Sequence, residues 1–274
     1  MCGIIGVLAK EGTVSKYPLQ SMVKELLLLS ESRGKEASGI AYATSPAIHV
    51  FNTPQPASVL VKKPEYAETL ALFNDATTDP FVCIGHARLV TNGSMEFSYN
   101  NQPVIKDGIV GIHNGIIVND ADLWKQYPQL ERKYDVDTEV ALSILRASLR
   151  SGASMEHALQ RLYHDIRGTA SMALLFDDRP ELVLATNNGS LYLCMNADKS
   201  CLFFASEQYI AEKIVEKFGR AIGMKIEDIT HIAPNEAYSI DPKSLAVQLI
   251  RLNSQSSAVS GGVPPSIAKR EINY

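Results

Sequence analysis

Directly after Cys2 the chain runs Gly3-Ile4-Ile5-Gly6-Val7-Leu8, a segment apolar on both faces of any strand it forms. A strand with no polar face has to be buried on both sides. Burial of that strand draws the second residue of the chain to the margin of a core. Removal of Met1, which the small side chain of Cys2 permits, leaves thiol and free α-amine on one residue. A free thiol titrates near ~8.5 and an α-amino group near ~7.7–8.0, so the amine suits proton relay near neutral pH. A terminal amine activates nucleophiles of this kind, there usually a threonine. Taken alone, Cys2 reads more readily as a small core residue opening a strand.

The 274 residues allow one large domain or two small ones. Residues 15–32 read as a helix, with Leu19, Met22, Val23, Leu26, Leu27 and Ser30 at three- and four-residue spacing and Gly34 ending it. Strands are expected over 37–44, 47–51 and 81–88, with a helix over 65–74. The polar segment 91–102 reads as a long loop, and loops of that length tend to be functional. A strand over 109–113 then meets Asn114-Gly115, a turn-prone pair. Helices are expected over 120–130, 138–150, with Asp137 as N-cap, and 155–161. Short strands follow at 171–176, 182–185, 191–195, 202–205, 237–240 and 245–251, interrupted by one helix over 208–218. Such a mixture is α+β, with strand blocks face to face and helices outside. Residues 253–274 are Ser-rich, with Gly261-Gly262 and Pro264-Pro265, and read as a flexible tail or linker after a domain over 2–252.

Composition narrows the class. Net charge is −4, and basic residues are scattered with no run longer than Lys62-Lys63, so no footprint for nucleic acid or anionic membrane is present. No apolar stretch approaches the ~20 residues of a membrane-spanning helix, and no charged region precedes the N-terminal apolar run. The four cysteines, Cys2, Cys83, Cys194 and Cys201, form no CxxC pair, which points to neither zinc nor a disulfide framework. A reduced, cytoplasmic setting follows as the expectation. No motif calls for a metal or organic cofactor.

An amide-cleaving thiol site needs a base, oxyanion donors and an anchor for substrate charge. Arg88 falls at a strand end beside the polar loop, where a guanidinium can grip a carboxylate bidentately. Asn114 and Gly115 offer a side-chain amide and an unhindered backbone N–H, the two donor types of an oxyanion hole. Asp137, at a helix start, suits a substrate ammonium. Individually each is weak: a strand-end arginine is more often in a surface ion pair, and Asn-Gly is more often a mere turn.

Taken in order, six blocks carry a resemblance. They are Cys2-Gly3-Ile4, Ser32-Arg33-Gly34-Lys35-Glu36-Ala37-Ser38-Gly39, His86-Ala87-Arg88, Thr91-Asn92-Gly93, His113-Asn114-Gly115-Ile116-Ile117 and Asp137-Thr138-Glu139. Over about residues 2–250 the chain resembles the glutaminase domain of the class II, N-terminal-nucleophile glutamine amidotransferases. The resemblance implies a four-layer αββα sandwich of two antiparallel sheets between helices. It makes Cys2 nucleophile and base carrier, Asn114 and the Gly115 N–H the oxyanion hole, and Arg33 a support for Cys2. Arg88, with Thr91 near it, would bind the α-carboxylate of glutamine and Asp137 its α-amine, and Asn92 and Gly93 are further substrate-binding positions. His86 and His113 fall on motif positions but flank better actors, so structural roles are expected for them.

Departures are visible as well. Leu89 stands where the family commonly has an aromatic residue after the arginine, and Glu36 where it has Asp. Asn101-Gln102-Pro103 is similar to amidophosphoribosyltransferases, whereas His113 to Ile117 is closer to glucosamine-6-phosphate synthases. The acceptor of the ammonia stays open. No synthase domain fits in the remaining 22 or so residues, so the expectation is delivery of ammonia to a separate synthase subunit. A hydrolase of another γ-glutamyl amide, a non-catalytic glutamine-binding module, a truncated larger enzyme and a homo-oligomer also remain open.

Overall fold

The computed structural model describes residues 2–72, 79–89 and 100–253. Thr91, Asn92 and Gly93 lie outside the described residues, as do most of the loop expected over 91–102 and the segment from 254 onward. The first half contains β1 (Gly3–Ala9), α1 (Lys16–Ser30), β2 (Ala37–Ala43), β3 (Ile48–Thr53), α2 (Ala57–Leu60), α3 (Pro64–Ala71), β4 (Phe81–Arg88), β5 (Val104–Lys106) and β6 (Ile109–Ile117). Next come α4 (Asp120–Gln126), α5 (Asp137–Arg150), α6 (Met155–Asp165), β7 (Gly168–Phe176) and β8 (Leu182–Thr186). The last elements are β9 (Tyr192–Met195), β10 (Cys201–Ala205), α7 (Gln208–Ile222), β11 (Ile229–His231), β12 (Glu236–Ile240) and β13 (Val247–Arg251).

The strands form two antiparallel sheets, one in the order β11-β9-β10-β1-β4-β2-β3 and the other β13-β12-β8-β7-β6-β5. The two-sided apolarity of β1 has a direct cause. Ile5, Val7 and Ala9 pack against Leu19, Met22, Val23, Leu26 and Leu27 of α1. Ile4 and Leu8, alternate residues of the same strand, point the other way and join Val110, Ile112, Ala173, Leu175 and Phe204 between the sheets. The second sheet repeats the division: Ala170, Met172, Leu174 and Phe176 of β7 meet α5 and α6, while Ala173 and Leu175 face the first sheet. Helices, sheet, sheet and helices make four layers, the expected α+β sandwich.

Two local expectations are corrected. Asn114-Gly115 is no turn: β6 continues to Ile117, with Asn114 opposite Ser171 and Gly115 opposite Ala170. The physical reason is that β7 begins at Gly168 and supplies a partner for the whole extension. Gly115 adopts φ 151, and a Cβ there would run into the Thr169 carbonyl oxygen, so the position needs glycine for close strand approach. Asp137 is not the N-cap of α5; Val136 holds that place. The Asp137 carboxylate instead accepts the backbone N–H of Ile117 at 2.8 Å, tying helix start to strand end. The helix α7 also runs past the expected 218 to Ile222 and stops at Gly223, in the left-handed region with φ 70.

Phe204 is fully buried between the sheets, its ring seated over Gly6. Phe204→Ala is expected to cost about 3–5 kcal/mol in urea unfolding, and a cost under about 1 kcal/mol would show that the inter-sheet layer is not the core. Gly115→Ala is expected to lower stability by about 1–3 kcal/mol through backbone strain, read from the same titration.

Candidate active site

The strands β1, β4 and β6 all contribute to the inter-sheet core, through Ile4, Ile84 and Ile112 respectively. The two-residue repeat carries that face onward at one end of the sandwich. Two positions before Ile4 is Cys2, two and four beyond Ile84 are His86 and Arg88, and two beyond Ile112 is Asn114. Pairing of Gly3 with Ala87 sets Cys2 beside Arg88. Cys2, Arg88, Asn114 and Asp137 are all buried, with exposures of 6%, 4%, 1% and 8%.

The Cys2 thiol donates to the Leu89 carbonyl at 3.4 Å. Its own carbonyl accepts from Arg33 Nε at 3.2 Å, and the Arg33 guanidinium is ion-paired with Glu207. Burial pushes the thiol above its ordinary value, with Asp137 adding to the rise and the chain's amino end and Arg88 opposing it. At neutral pH it is therefore a protonated thiol. Arg88 Nη1 donates to the Asn100 carbonyl and to Asn101 Oδ1, both at 2.7 Å. Burial works against the Arg88 charge, and Cys2, Asp137 and Glu36 favour it. For Asp137, burial also opposes ionisation, but His113 and the N–H groups of Ile117 and Thr138 outweigh it and hold the carboxyl below its usual range. A cation, an anion and a thiol are thus buried near one another, and both charges are close enough to act on the thiol.

Asn114 Nδ2 donates to Ser190 Oγ at 3.3 Å. The residue before it is clamped: the Gln102 side chain accepts from the His113 N–H and donates back to its carbonyl at 3.1 Å. His86 Nε2 donates to that same carbonyl at 3.2 Å. Complete burial drives the His86 pKa down to about 3, so the ring stays neutral. The His113 ring lies on the helix side of β6, between Thr138 Oγ1 at 3.2 Å and the Thr169 carbonyl at 3.3 Å. Glu139 is fully buried, ion-paired with Lys106 at 2.9 Å and accepting the N–H groups of Lys133 and Tyr134.

The structure places Cys2 beside Arg88 with Asp137 near and Arg33 bonded to the Cys2 carbonyl, and Asn114 and Gly115 follow one another on β6. Gln102, Ser190, Ser206 and Glu207 were not singled out as site residues from sequence. Gln102 stands inside a quoted motif, whereas Ser190 lies in none. Among the described residues no cluster of three or more His, Cys, Asp or Glu is placed to hold a metal, and no helix is long and apolar enough to cross a membrane.

A family model for a glutamine amidotransferase domain matches residues 86–212. Glutamine–fructose-6-phosphate aminotransferase (isomerizing) of Bacillus subtilis (strain 168) is 31% identical over 198 residues, covering 69% of this chain and 29% of that enzyme. The enzyme of the same name from Rhizobium meliloti (strain 1021) is 27% identical over 194 residues, with the same shares. The chain thus spans under a third of the length of these relatives. Among solved structures, glutamine phosphoribosylpyrophosphate amidotransferase from B. subtilis, complexed with ADP and GMP, matches 92% of this chain and 49% of its own with a TM-score of 0.66. At 18% identity that likeness speaks for the fold alone. The chain carries a glutamine amidotransferase domain of the class II, N-terminal-nucleophile type.

Proposed function

We propose that residues 2–252 form a glutaminase that releases ammonia from the side-chain amide of glutamine for a synthase activity outside these residues. The observation that carries this reading is the convergence of Cys2, Arg88 and Asn114 on one end of the inter-sheet face, with Asp137 acting on the same thiol. A buried cation and a buried anion suit the carboxylate and ammonium of a free amino acid. Arg88 takes the α-carboxylate, helped by Thr91, Asn92 and Gly93, and Asp137 takes the α-amine. The roles of those three loop residues rest on the resemblance.

With Met1 attached, burial raises the Cys2 thiol pKa, which favours a thiol over a preformed thiolate as the resting form. The α-amine freed by removal of Met1 accepts the thiol proton, through a water, as sulfur attacks the amide carbon. Asn114 and the Gly115 N–H hold the oxyanion, each such donor being worth roughly 10²–10³-fold in kcat. Collapse breaks the C–N bond, the amine returns its proton to the leaving nitrogen, and ammonia departs. Water then hydrolyses the γ-glutamyl thioester to glutamate. Arg33, bonded to the Cys2 carbonyl, holds the terminus in place. Four free cysteines and an unmodified thiol nucleophile fit a reducing compartment.

Leu89 supports a second reading. It follows Arg88 directly and is 38% exposed, where the resemblance has an aromatic cover. A looser cover suits a γ-glutamyl amide bulkier than glutamine, and faster turnover of such amides than of glutamine would select that reading.

Cys2→Ala is expected to reduce ammonia release to background, and retention of Met1 to be nearly as damaging. Near-normal turnover by either protein would refute the assignment. In protein retaining Met1, iodoacetamide alkylation of Cys2 should inflect above the ordinary ~8.5 of a free thiol, because the folded pKa is raised. An inflection at or below that value would show that burial does not raise the thiol pKa.

A further inference from the structure

Ser190 lies in the connection between β8 and β9, away from every motif block. We propose that it is a positioning residue for the reaction assigned above, its hydroxyl setting which end of the Asn114 amide faces the oxyanion; the proposal rests on that assignment. Ser190 Oγ donates to the Ser206 carbonyl at 3.3 Å. A hydroxyl has one proton, so with that proton spent the oxygen can only accept from Asn114. The Asn114 NH₂ therefore faces Ser190, across 3.3 Å. A flipped amide would set Oδ1 against that oxygen, and the hydroxyl could supply a proton only by giving up the Ser206 carbonyl.

Nothing else described holds the orientation. Asn114 Oδ1 is buried and has no hydrogen-bond partner among the described residues. Ser190 alone therefore distinguishes the two ends of the amide. One N–H of Nδ2 goes to Ser190, and the second is the donor for the oxyanion. In the flipped state a carbonyl oxygen would meet the developing negative charge, turning a stabilising contact into a repulsive one.

The serine is itself referenced to the nucleophile. Ser206 follows β10 and pairs with Ile4 of β1 twice, its N–H donating to the Ile4 carbonyl at 3.0 Å and its Oγ accepting the Ile4 N–H at 3.2 Å. Ile4 is two residues from Cys2. A continuous path of four hydrogen bonds, two of them between Ser206 and Ile4, thus joins the nucleophile's strand in one sheet to the oxyanion amide in the other. The backbone around Ser190 is held by Asn188 Oδ1, which accepts the hydroxyls of Ser171 and Thr186, and by Thr186 Oγ1, which accepts the Gly189 N–H.

The test is steady-state ammonia release from glutamine by the full chain lacking Met1, with Ser190→Ala, Ser190→Thr, Asn114→Ala and the Ser190→Ala/Asn114→Ala double variant. Ser190→Ala should lower kcat about tenfold or more, up to the roughly 10²–10³-fold of complete donor loss. KM for glutamine should stay within about threefold, since the contact matters in the transition state. Ser190→Thr, which keeps the hydroxyl, should recover most of the loss. In the Asn114→Ala background Ser190→Ala should cost nothing further in kcat. Equal losses in both backgrounds would make Ser190 a merely structural residue, and an unchanged kcat for Ser190→Ala would remove the role altogether; either overturns the proposal. Absence of ammonia release by the unsubstituted protein, or full activity of Asn114→Ala, would instead overturn the assignment of the site, and this proposal with it.

Discussion

The pairing of β1 with β4, under a layer of apolar side chains on each face, is the constraint from which the rest of the site follows. Gly3 lies opposite Ala87 and Ile4 opposite His86. A slip of one residue in that register would turn Ile4 and Leu8 toward α1 and Ile5 and Val7 toward the other sheet. It would also rotate Arg88 out of the slot relative to Cys2. Correct burial of hydrocarbon and correct placement of the reactive thiol are thus one condition, and the hydrophobic core specifies the chemistry indirectly.

Charge inside the slot survives because it is hydrogen-bonded before any ligand arrives. A buried ion costs several kcal/mol unless it is paired or bonded to dipoles. Arg88 has the Asn100 carbonyl and Asn101 Oδ1, and Asp137 has the Ile117 N–H. The thiol has no comparable support for its anion, so burial leaves it protonated. This asymmetry separates the two tasks of the site. In the proposed reaction the charged groups hold the substrate, while the thiol needs a base to act during attack.

The strand β6, which carries Asn114, is braced as well. The His113 carbonyl accepts from both Gln102 and His86, and the His113 N–H is taken by Gln102 as well. Partnered buried polar groups rigidify their surroundings and unpartnered ones cost stability; His86 Nδ1 is buried with no partner among the described residues. The brace stops at His113. One residue further, the Asn114 amide has a single described contact, so its orientation is the least supported part of the site.

Much of this was legible in the chain itself. The two-faced apolar run after Cys2 announced a buried strand, helical spacing marked α1, and β4 was bounded correctly at Phe81 and Arg88 because an apolar run ends there in a charge. Local pattern failed where partners decide the outcome. Asn-Gly favours turns in isolation, but β7 offered hydrogen bonds to both sides of it, and Gly115 became a point of close strand approach. Asp137 favours an N-cap, but an unsatisfied Ile117 N–H nearby claimed its carboxylate. Ser190 carries no motif signal and Gln102 only that of its Asn-Gln-Pro block, and neither reveals contacts that span 16, 76 and 11 residues of sequence. Residue types and their order determined which chemistry the chain is equipped for. Only the stacking of two sheets decided which of those side chains meet, because distance along a strand says nothing about what lies across the gap.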